Sequence, residues 1–443
     1  MQATLQGAAP IVEILAIGRE ILDGRVIDTN SVWMAEKLKE RGLIPRYGQR
    51  VDDDFDRVIE AFEIAQRRSQ IILVTGGLGP TADDLTAEAF GRFTGEKLEL
   101  HPEAMAQLEA WFKRMNRTLL DVQRKQAYFP KSCRVLENFE GTAPGFARRF
   151  DSGQSWYFTP GVPKEMKRMF TEHILPELPR VEGYRSSSWA TQFTSEGELQ
   201  KRLNPVHAIL SETEGSAFEI TYRTRFPENH IGLHGVCTTP ARNTQYLKLA
   251  KEIETLLGED IFSGGIDKEN TLLEFQVVQK LKAAGAIVAT VESCTGGLVA
   301  NRITDIPGSS AVYWGSWLTY DYRAKEELGV PKDLMIKHGA VSPEVAKALA
   351  EAGLVKLTKL VSGAGLPVDK LLCVSTTGIA GPGGETPKKP VGLCYVALAK
   401  ANGETLVEEV LGRPQFLRTE NKTLFAQRAL DLVRRNTDQS TEK

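Results

Sequence analysis

The sequence predicts an α/β protein in three consecutive parts. These are a parallel-sheet domain over Ile11–Leu178, a small α+β domain over Pro179–Gly264, and a second α/β domain over Gly265–Arg435. Asn436–Lys443 follows as a polar tail, expected to be loose. Three observations carry this reading. The 443 residues exceed one ordinary domain. Short apolar runs alternate with helical stretches in the first and third parts, as in a parallel sheet covered by helices. Several of these runs end in glycine-rich turns, at the carboxyl ends of strands where open α/β sheets bind ligands.

In the first part, Ile11–Ile17 is an apolar strand. Asp28–Thr29–Asn30 offers capping side chains to a helix over Ser31–Arg41, and Gly42 ends it. A second helix starts at Asp52–Asp54, with Val58, Ile59, Phe62 and Ala65 at helical spacing. Ile71–Thr75 is the next strand, and it runs into Gly76–Gly77–Leu78–Gly79–Pro80–Thr81 with Asp83 and Asp84 beyond. The middle part shows strand pieces Phe218–Arg223 and Ile231–Val236 and a helix over Thr244–Leu257. In the third part, a helix over Asn270–Ala284 stops at Gly285, and strand Ala286–Val291 runs into Glu292–Ser293–Cys294–Thr295–Gly296–Gly297 before a helix from Leu298. Strand Ala311–Leu318 precedes a helix over Tyr322–Leu328, and strand Leu371–Thr376 precedes Thr377–Gly384. Val391–Leu398 pairs with Thr405–Leu411, and Thr419–Arg435 closes the domain.

Composition narrows the function. Hydrophobic residues make up 42% and charged residues 25%, near the globular average. A net charge of −2 without a basic run argues against a nucleic-acid partner. The five cysteines are widely spaced without a CxxC, which argues against a zinc ribbon or disulfide framework and fits a reducing cytoplasm. Met1–Pro10 lacks the pattern of a signal peptide, and no apolar run reaches the roughly 18 residues of a membrane span. A soluble, cytoplasmic protein is expected.

Ser293 is the sharpest candidate. It sits where a strand stops and a helix begins, so the N–H groups of Thr295, Gly296 and Gly297 would face the same space as its hydroxyl. Such donors suit a phosphate or an oxyanion. The plainer reading is a helix cap and a tight turn. A serine nucleophile needs a base. His338 is the one histidine candidate in this part; a lysine serves if burial keeps it neutral. Lys325, five residues after Tyr320, could do so, against the plainer reading of a solvated surface lysine. Thr377–Gly384 is a second anion-cradle candidate or an ordinary loop.

These motifs resemble a known family. Val291–Gly297, His338–Ser342, Thr377–Gly384 and Lys389–Gly392 are similar to the CinA C-terminal domain, the nicotinamide-mononucleotide deamidases. The resemblance implies attack on the carboxamide, release of ammonia and formation of nicotinate mononucleotide, with no cofactor. It places Ser293, Tyr320 and Lys325 on the family's serine, tyrosine and lysine: Ser293 attacks, Lys325 takes the proton and Tyr320 links them. Thr295, Gly296, Gly297, Thr377, Gly378, Gly381 and Arg418 would hold the substrate. The family's Gly-Asp-Arg before the last helix is replaced by Gly412–Arg413–Pro414, and only Arg418 keeps the second arginine place.

The first part resembles the CinA N-terminal domain, similar in fold to molybdopterin-binding proteins, through Thr75–Asp84, Lys125–Ala127, Asn138–Phe146 and Pro160–Met166. In some members this domain is a metal-dependent ADP-ribose pyrophosphatase. The resemblance implies Asp83, Asp84 and Glu165 as catalytic, and Gly76, Gly77, Thr81, Lys125 and Asn138 as substrate contacts. A divalent metal (Mg, Mn or Co) would sit on Asp84 and Glu20. Where the family's first strand ends in Gly-Asp-Glu, this chain reads Gly18–Arg19–Glu20, which inverts a charge at the expected metal site. The resemblance also implies a homodimer acting on small nucleotides. The rival readings are a pterin- or nucleotide-binding module and a noncatalytic competence or recombination partner. His230 and His234 are read as satisfied or exposed, and Cys294 as a minor alternative nucleophile.

Overall fold

A computed structural model describes residues 9–192, 195–212, 218–268, 272–362, 368–413 and 415–437. The chain divides into two compact units. One holds the chain up to Arg185 with Gly235–Arg242. The other holds Ser186–Glu214, Phe218–His234 and the chain from Asn243.

The first unit contains β1 (Val12–Ile17), β2 (Pro45–Val51), β3 (Ile71–Thr75), β4 (Leu98–Leu100), β5 (Tyr128–Pro130), β6 (Arg134–Leu136), β7 (Gly145–Arg149) and β8 (Ser155–Thr159). Among the described residues they form a six-stranded sheet, ordered β2-β1-β3-β8-β7-β6, and a separate β4-β5 pair. β2, β1, β3 and β8 run parallel. β7 and β6 add antiparallel, so the sheet is mixed at one edge. β1 and β3 are buried throughout, which is why they read as unbroken apolar runs. Helix Thr29–Lys39 starts where the carboxylate of Asp28 accepts the Ser31 N–H at 2.9 Å. Helix Phe55–Arg68 starts in the same way, with Asp54 accepting from Arg57 N–H at 3.1 Å.

The second unit carries a four-stranded sheet, ordered β10-β11-β9-β12, from β9 (Tyr184–Gln192), β10 (Phe218–Arg225), β11 (Glu228–Val236) and β12 (Ile261–Gly265). Helix Pro240–Leu257 was legible in part. Helix Glu196–Glu212 was not, because Pro205 lies inside it. A five-stranded sheet, ordered β14-β13-β15-β16-β17, is built from β13 (Ile287–Glu292), β14 (Tyr313–Leu318), β15 (Leu371–Gly378), β16 (Leu393–Lys400) and β17 (Thr405–Leu411). β14, β13 and β15 are parallel, and β16 and β17 add antiparallel.

β13 shows how the pleat builds two cores. Val288 packs with Leu281, Val299 and Phe425 of helices Leu273–Ala284, Leu298–Thr304 and Arg418–Asn436. Its neighbours Ala289 and Val291 pack with Val345, Leu349 and Leu357 of helix Pro343–Val361. The expected helix start at Asn270 and the altered Pro414 lie outside the described residues.

The N-terminal core is aromatic. Phe62 stands edge-on to Phe90 at 5.8 Å and to Trp156 at 5.5 Å between ring centroids, and all three are wholly buried. Phe62→Ala should therefore cost about 3–5 kcal/mol. A urea midpoint within error of wild type would show that the cluster is not packed this way.

Candidate functional site

Parallel strands deliver their carboxyl ends to one rim. At this rim Ser293 N–H donates to Thr376 O at 3.1 Å, and Thr319 N–H donates to Glu292 O at 2.8 Å. The residues that leave β14, β13 and β15 are thereby set side by side. Ser293 is 9% exposed. Helix Tyr322–Leu328, capped by Asp321 at Arg323 N–H, then turns Lys325 inward.

Lys325 is 1% exposed, so the solvated-lysine reading does not hold. Its Nζ donates to Ser293 Oγ at 3.2 Å, to Thr319 O at 2.5 Å and to Tyr320 O at 3.1 Å. Among the described residues no carboxylate pairs with it. Burial pushes its pKa below the ordinary lysine range, partly opposed by Cys294 and Asp321.

Two expectations need correction. Tyr320 does not link Ser293 to Lys325 through its hydroxyl. Its side chain turns outward at the strand end, 68% exposed, and the hydroxyl accepts from Arg418 Nη2 at 3.1 Å. Lys325 contacts only the Tyr320 backbone carbonyl. Nor do the Gly296 and Gly297 amides face a ligand. Gly296 N–H donates to Ser293 O at 3.2 Å, and Gly297 N–H donates to Glu292 Oε2 at 2.9 Å.

Sequence reasoning missed Glu292. Its carboxylate is 1% exposed and accepts from Thr295 Oγ1 at 2.7 Å, Val299 N–H at 3.2 Å and Ala300 N–H at 2.8 Å as well. It takes up the open donors at the start of helix Leu298–Thr304, where negative charge is favoured. An acid directly before a strand-to-helix turn was the signal.

The other expected ligand contacts form the rim. Thr377 is buried and donates through Oγ1 to Ala340 O at 2.7 Å. A Cβ on Gly378 would lie 2.6 Å from that of Cys394, so only glycine fits there. Arg418 Nη1 donates to Gly381 O at 2.5 Å. Lys422, one turn further along the same helix, was also missed. Its Nζ comes within 3.5 Å of where a Gly296 Cβ would stand. The spacing Arg418–Lys422 was the available signal. His338 pairs with Glu344 at 3.2 Å, and no contact with Ser293 is present among the described residues.

In the first unit, a cavity of about 510 Å³ opens at the ends of β1 and β3. Glu20, Gly76, Gly77, Asp83, Asp84 and Glu165 line it. Among the described residues no lysine or arginine does. Gly76 and Gly77 have φ of +105° and +66°, and a Cβ on Gly76 would stand 2.1 Å from Ile17 O. Burial raises the pKa of Glu165, partly offset by Asn138 and reinforced by Glu140.

The remaining expected contacts brace this cavity from outside. Lys125 Nζ donates to Thr81 O at 2.8 Å and Asp84 O at 2.9 Å, so it clamps the glycine loop. Asn138 Nδ2 donates to Ala143 O at 2.9 Å and Glu165 Oε2 at 2.6 Å, while its Oδ1 accepts from Glu140 and Gly141 N–H. Thr81 donates through N–H and Oγ1 to Asp84 Oδ2 at 2.9 and 2.6 Å.

That last pair weighs against the expected metal site. Asp84 spends an oxygen on its own turn. Among the described residues no group of three or more His, Cys, Asp or Glu is placed to hold a metal ion. Arg19 is 66% exposed at its side chain and pairs with Asp52, Nε to Oδ1 at 2.9 Å, away from the cavity. The donor set does not fit a divalent metal.

Both halves have matches among known families. Residues 13–180 match a family described as "Probable molybdopterin binding domain", and residues 270–437 match the "CinA C-terminal domain". A protein of Clostridium botulinum (strain Kyoto / Type A2) with a competence-damage inducible name is 36% identical over 437 residues, covering 96% of this chain and 99% of its own. A CinA-like protein of Kosmotoga olearia is 36% identical over 435 residues, covering 96% and 98%. A crystal structure of CinA from Thermoplasma acidophilum, of unknown function, matches 37% of this chain and 95% of its own at 36% identity, with a TM-score of 0.35.

Fold and sites together define an α/β protein that joins a molybdopterin-binding-type domain to a CinA C-terminal domain. The chain belongs to the CinA family. Among its described residues no helix is long and apolar enough to cross a membrane.

A buried lysine of lowered pKa makes stability depend on pH with a definite sign. Below its folded pKa the proton is held in both states and the penalty is constant. Between that value and the unfolded lysine value of about 10.4, only the unfolded state keeps the proton, so stability rises with pH. The stability difference between wild type and Lys325→Met should therefore climb through this window. A difference that stays flat in denaturant titrations across pH would mean that Lys325 is solvated.

Proposed function

We propose that the second unit hydrolyses the carboxamide of nicotinamide mononucleotide to nicotinate mononucleotide and ammonia. One observation carries this: the Lys325 amine lies 3.2 Å from Ser293 Oγ, buried and, among the described residues, without a carboxylate partner. A neutral amine there can accept the serine proton.

The Ser293 oxygen bonds to the carboxamide carbon as its proton passes to Lys325. The tetrahedral oxyanion takes a hydrogen bond from the Cys294 amide in the turn after β13. Lys325 returns the proton to the departing nitrogen, the C–N bond breaks, and ammonia leaves. Water, deprotonated by the same amine, cleaves the acyl-serine. Arg418 and Lys422, four apart on one helix, supply positive charge for the substrate phosphate. Tyr320, exposed beside Arg418, offers a face for the pyridine ring.

A second reading concerns the first unit. There we propose binding of a nucleotide or pterin, without metal-assisted hydrolysis. Asn30 Oδ1 and Gln126 Oε1 are buried cavity-lining acceptors without a protein partner. Each suits an N–H donor of a heterocycle. Asn30→Leu should weaken calorimetric binding of ADP-ribose or a reduced pterin roughly tenfold. Unchanged binding of both would reject this contact.

Ser293→Ala should abolish ammonia release from nicotinamide mononucleotide, and Lys325→Met should lower it by about a thousandfold. Wild-type rates should rise with pH through the lowered lysine pKa, because the neutral amine is the working form. Wild-type turnover by a folded Ser293→Ala protein would end this assignment.

A further inference from the structure

Two thiols stand beside the proposed nucleophile, and the mechanism uses neither. Cys294 follows Ser293 directly, and Cys394 lies in β16 opposite Gly378. Their sulfurs are 3.8 Å apart. Cys294 is 5% exposed and Cys394 is wholly buried.

The two sites differ in backbone setting. Cys394 is held in ladders on both sides, with β15 and with β17. Cys294 sits on the turn after β13, next to Gly296 and Gly297 at φ of +62° and +92°. Lys325 lies close enough to Cys294 to interact with it electrostatically.

We propose that Cys294 and Cys394 are a modification site, closing to a reversible disulfide when the protein meets hydrogen peroxide. The Cys294 thiolate attacks the peroxide; the O–O bond breaks, a sulfenic acid forms, and one water leaves after protonation. The Cys394 sulfur then attacks Cys294 Sγ. The S–S bond forms, the S–O bond breaks, and the hydroxide departs as water with the Cys394 proton. The balance is two thiols and one peroxide to one disulfide and two waters.

Closing the bond brings the sulfurs from 3.8 Å to about 2.05 Å. With Cys394 fixed in the sheet, the Ser293–Cys294 turn moves, and Ser293 Oγ leaves Lys325 Nζ. The inhibitory consequence rests on the serine reading above; the bond itself does not.

The test exposes the full chain to hydrogen peroxide, then blocks free thiols and maps peptides without reductant. A cross-linked peptide joining Cys294 to Cys394 is expected, short of two hydrogens and released by dithiothreitol. Ammonia release should fall about a hundredfold and return on reduction. Cys394→Ser, which only exchanges sulfur for oxygen, should keep the reduced-state rate and lose the reversible inhibition. Finding both thiols free after peroxide overturns the site, and a cross-link with undiminished turnover overturns the switch. If even reduced protein releases no ammonia, the serine reading fails, while the peptide map still decides the bond.

Discussion

An amine stripped of water and given only neutral oxygens is the constraint on which the C-terminal site depends. Holding an ammonium in such a place is costly. The fold meets this by presenting the Ser293 hydroxyl and the carbonyls of Thr319 and Tyr320, groups that tolerate either protonation state. The same poverty of charge that makes Lys325 uncomfortable makes it basic chemistry's natural partner for Ser293. Core residues on the flanking helix, such as Leu328, pin this geometry.

Around that pair the backbone is already spoken for. Glu292 gathers the amides that open helix Leu298–Thr304, and it does so from inside the protein. A helix start is often treated as an anion site in waiting. Here the anion is built in, and its effect is to fix the turn on which Ser293 rides. The N-terminal cavity has the opposite character. It is lined by several carboxylates and by amide oxygens, while Arg19 and Lys125 are occupied outside it.

Much of this was legible in the sequence because strands and helices have periods. β3 and helix Tyr322–Leu328 fall on the expected residues, and the pairing of β16 with β17 was expected from their runs. Ser293 and Lys325 were legible through the motifs around them. What escaped lies in turns, which have no period. Whether Tyr320 faces inward depends on where β14 releases the chain. Whether Gly297 N–H is free depends on a carboxylate five residues earlier. Arg19 read as an intruder at a ligand site, yet Asp52, distant in sequence, draws it aside. The antiparallel β7 and β6 likewise needed tertiary pairing to place them.

The helix Arg418–Asn436 has a second attachment. Gln427 is wholly buried, donates to Gln192 and Glu228 at 3.2 and 3.1 Å, and accepts from Arg302 at 2.8 Å. The rod that carries Arg418 and Lys422 to the rim is thus bolted to the small four-stranded sheet. A stand-alone version of the C-terminal domain, cut free of that sheet, would leave this amide with two of its three partners gone. Such a domain has to repaint that patch before it can live alone, and position 427 is where the brush would start.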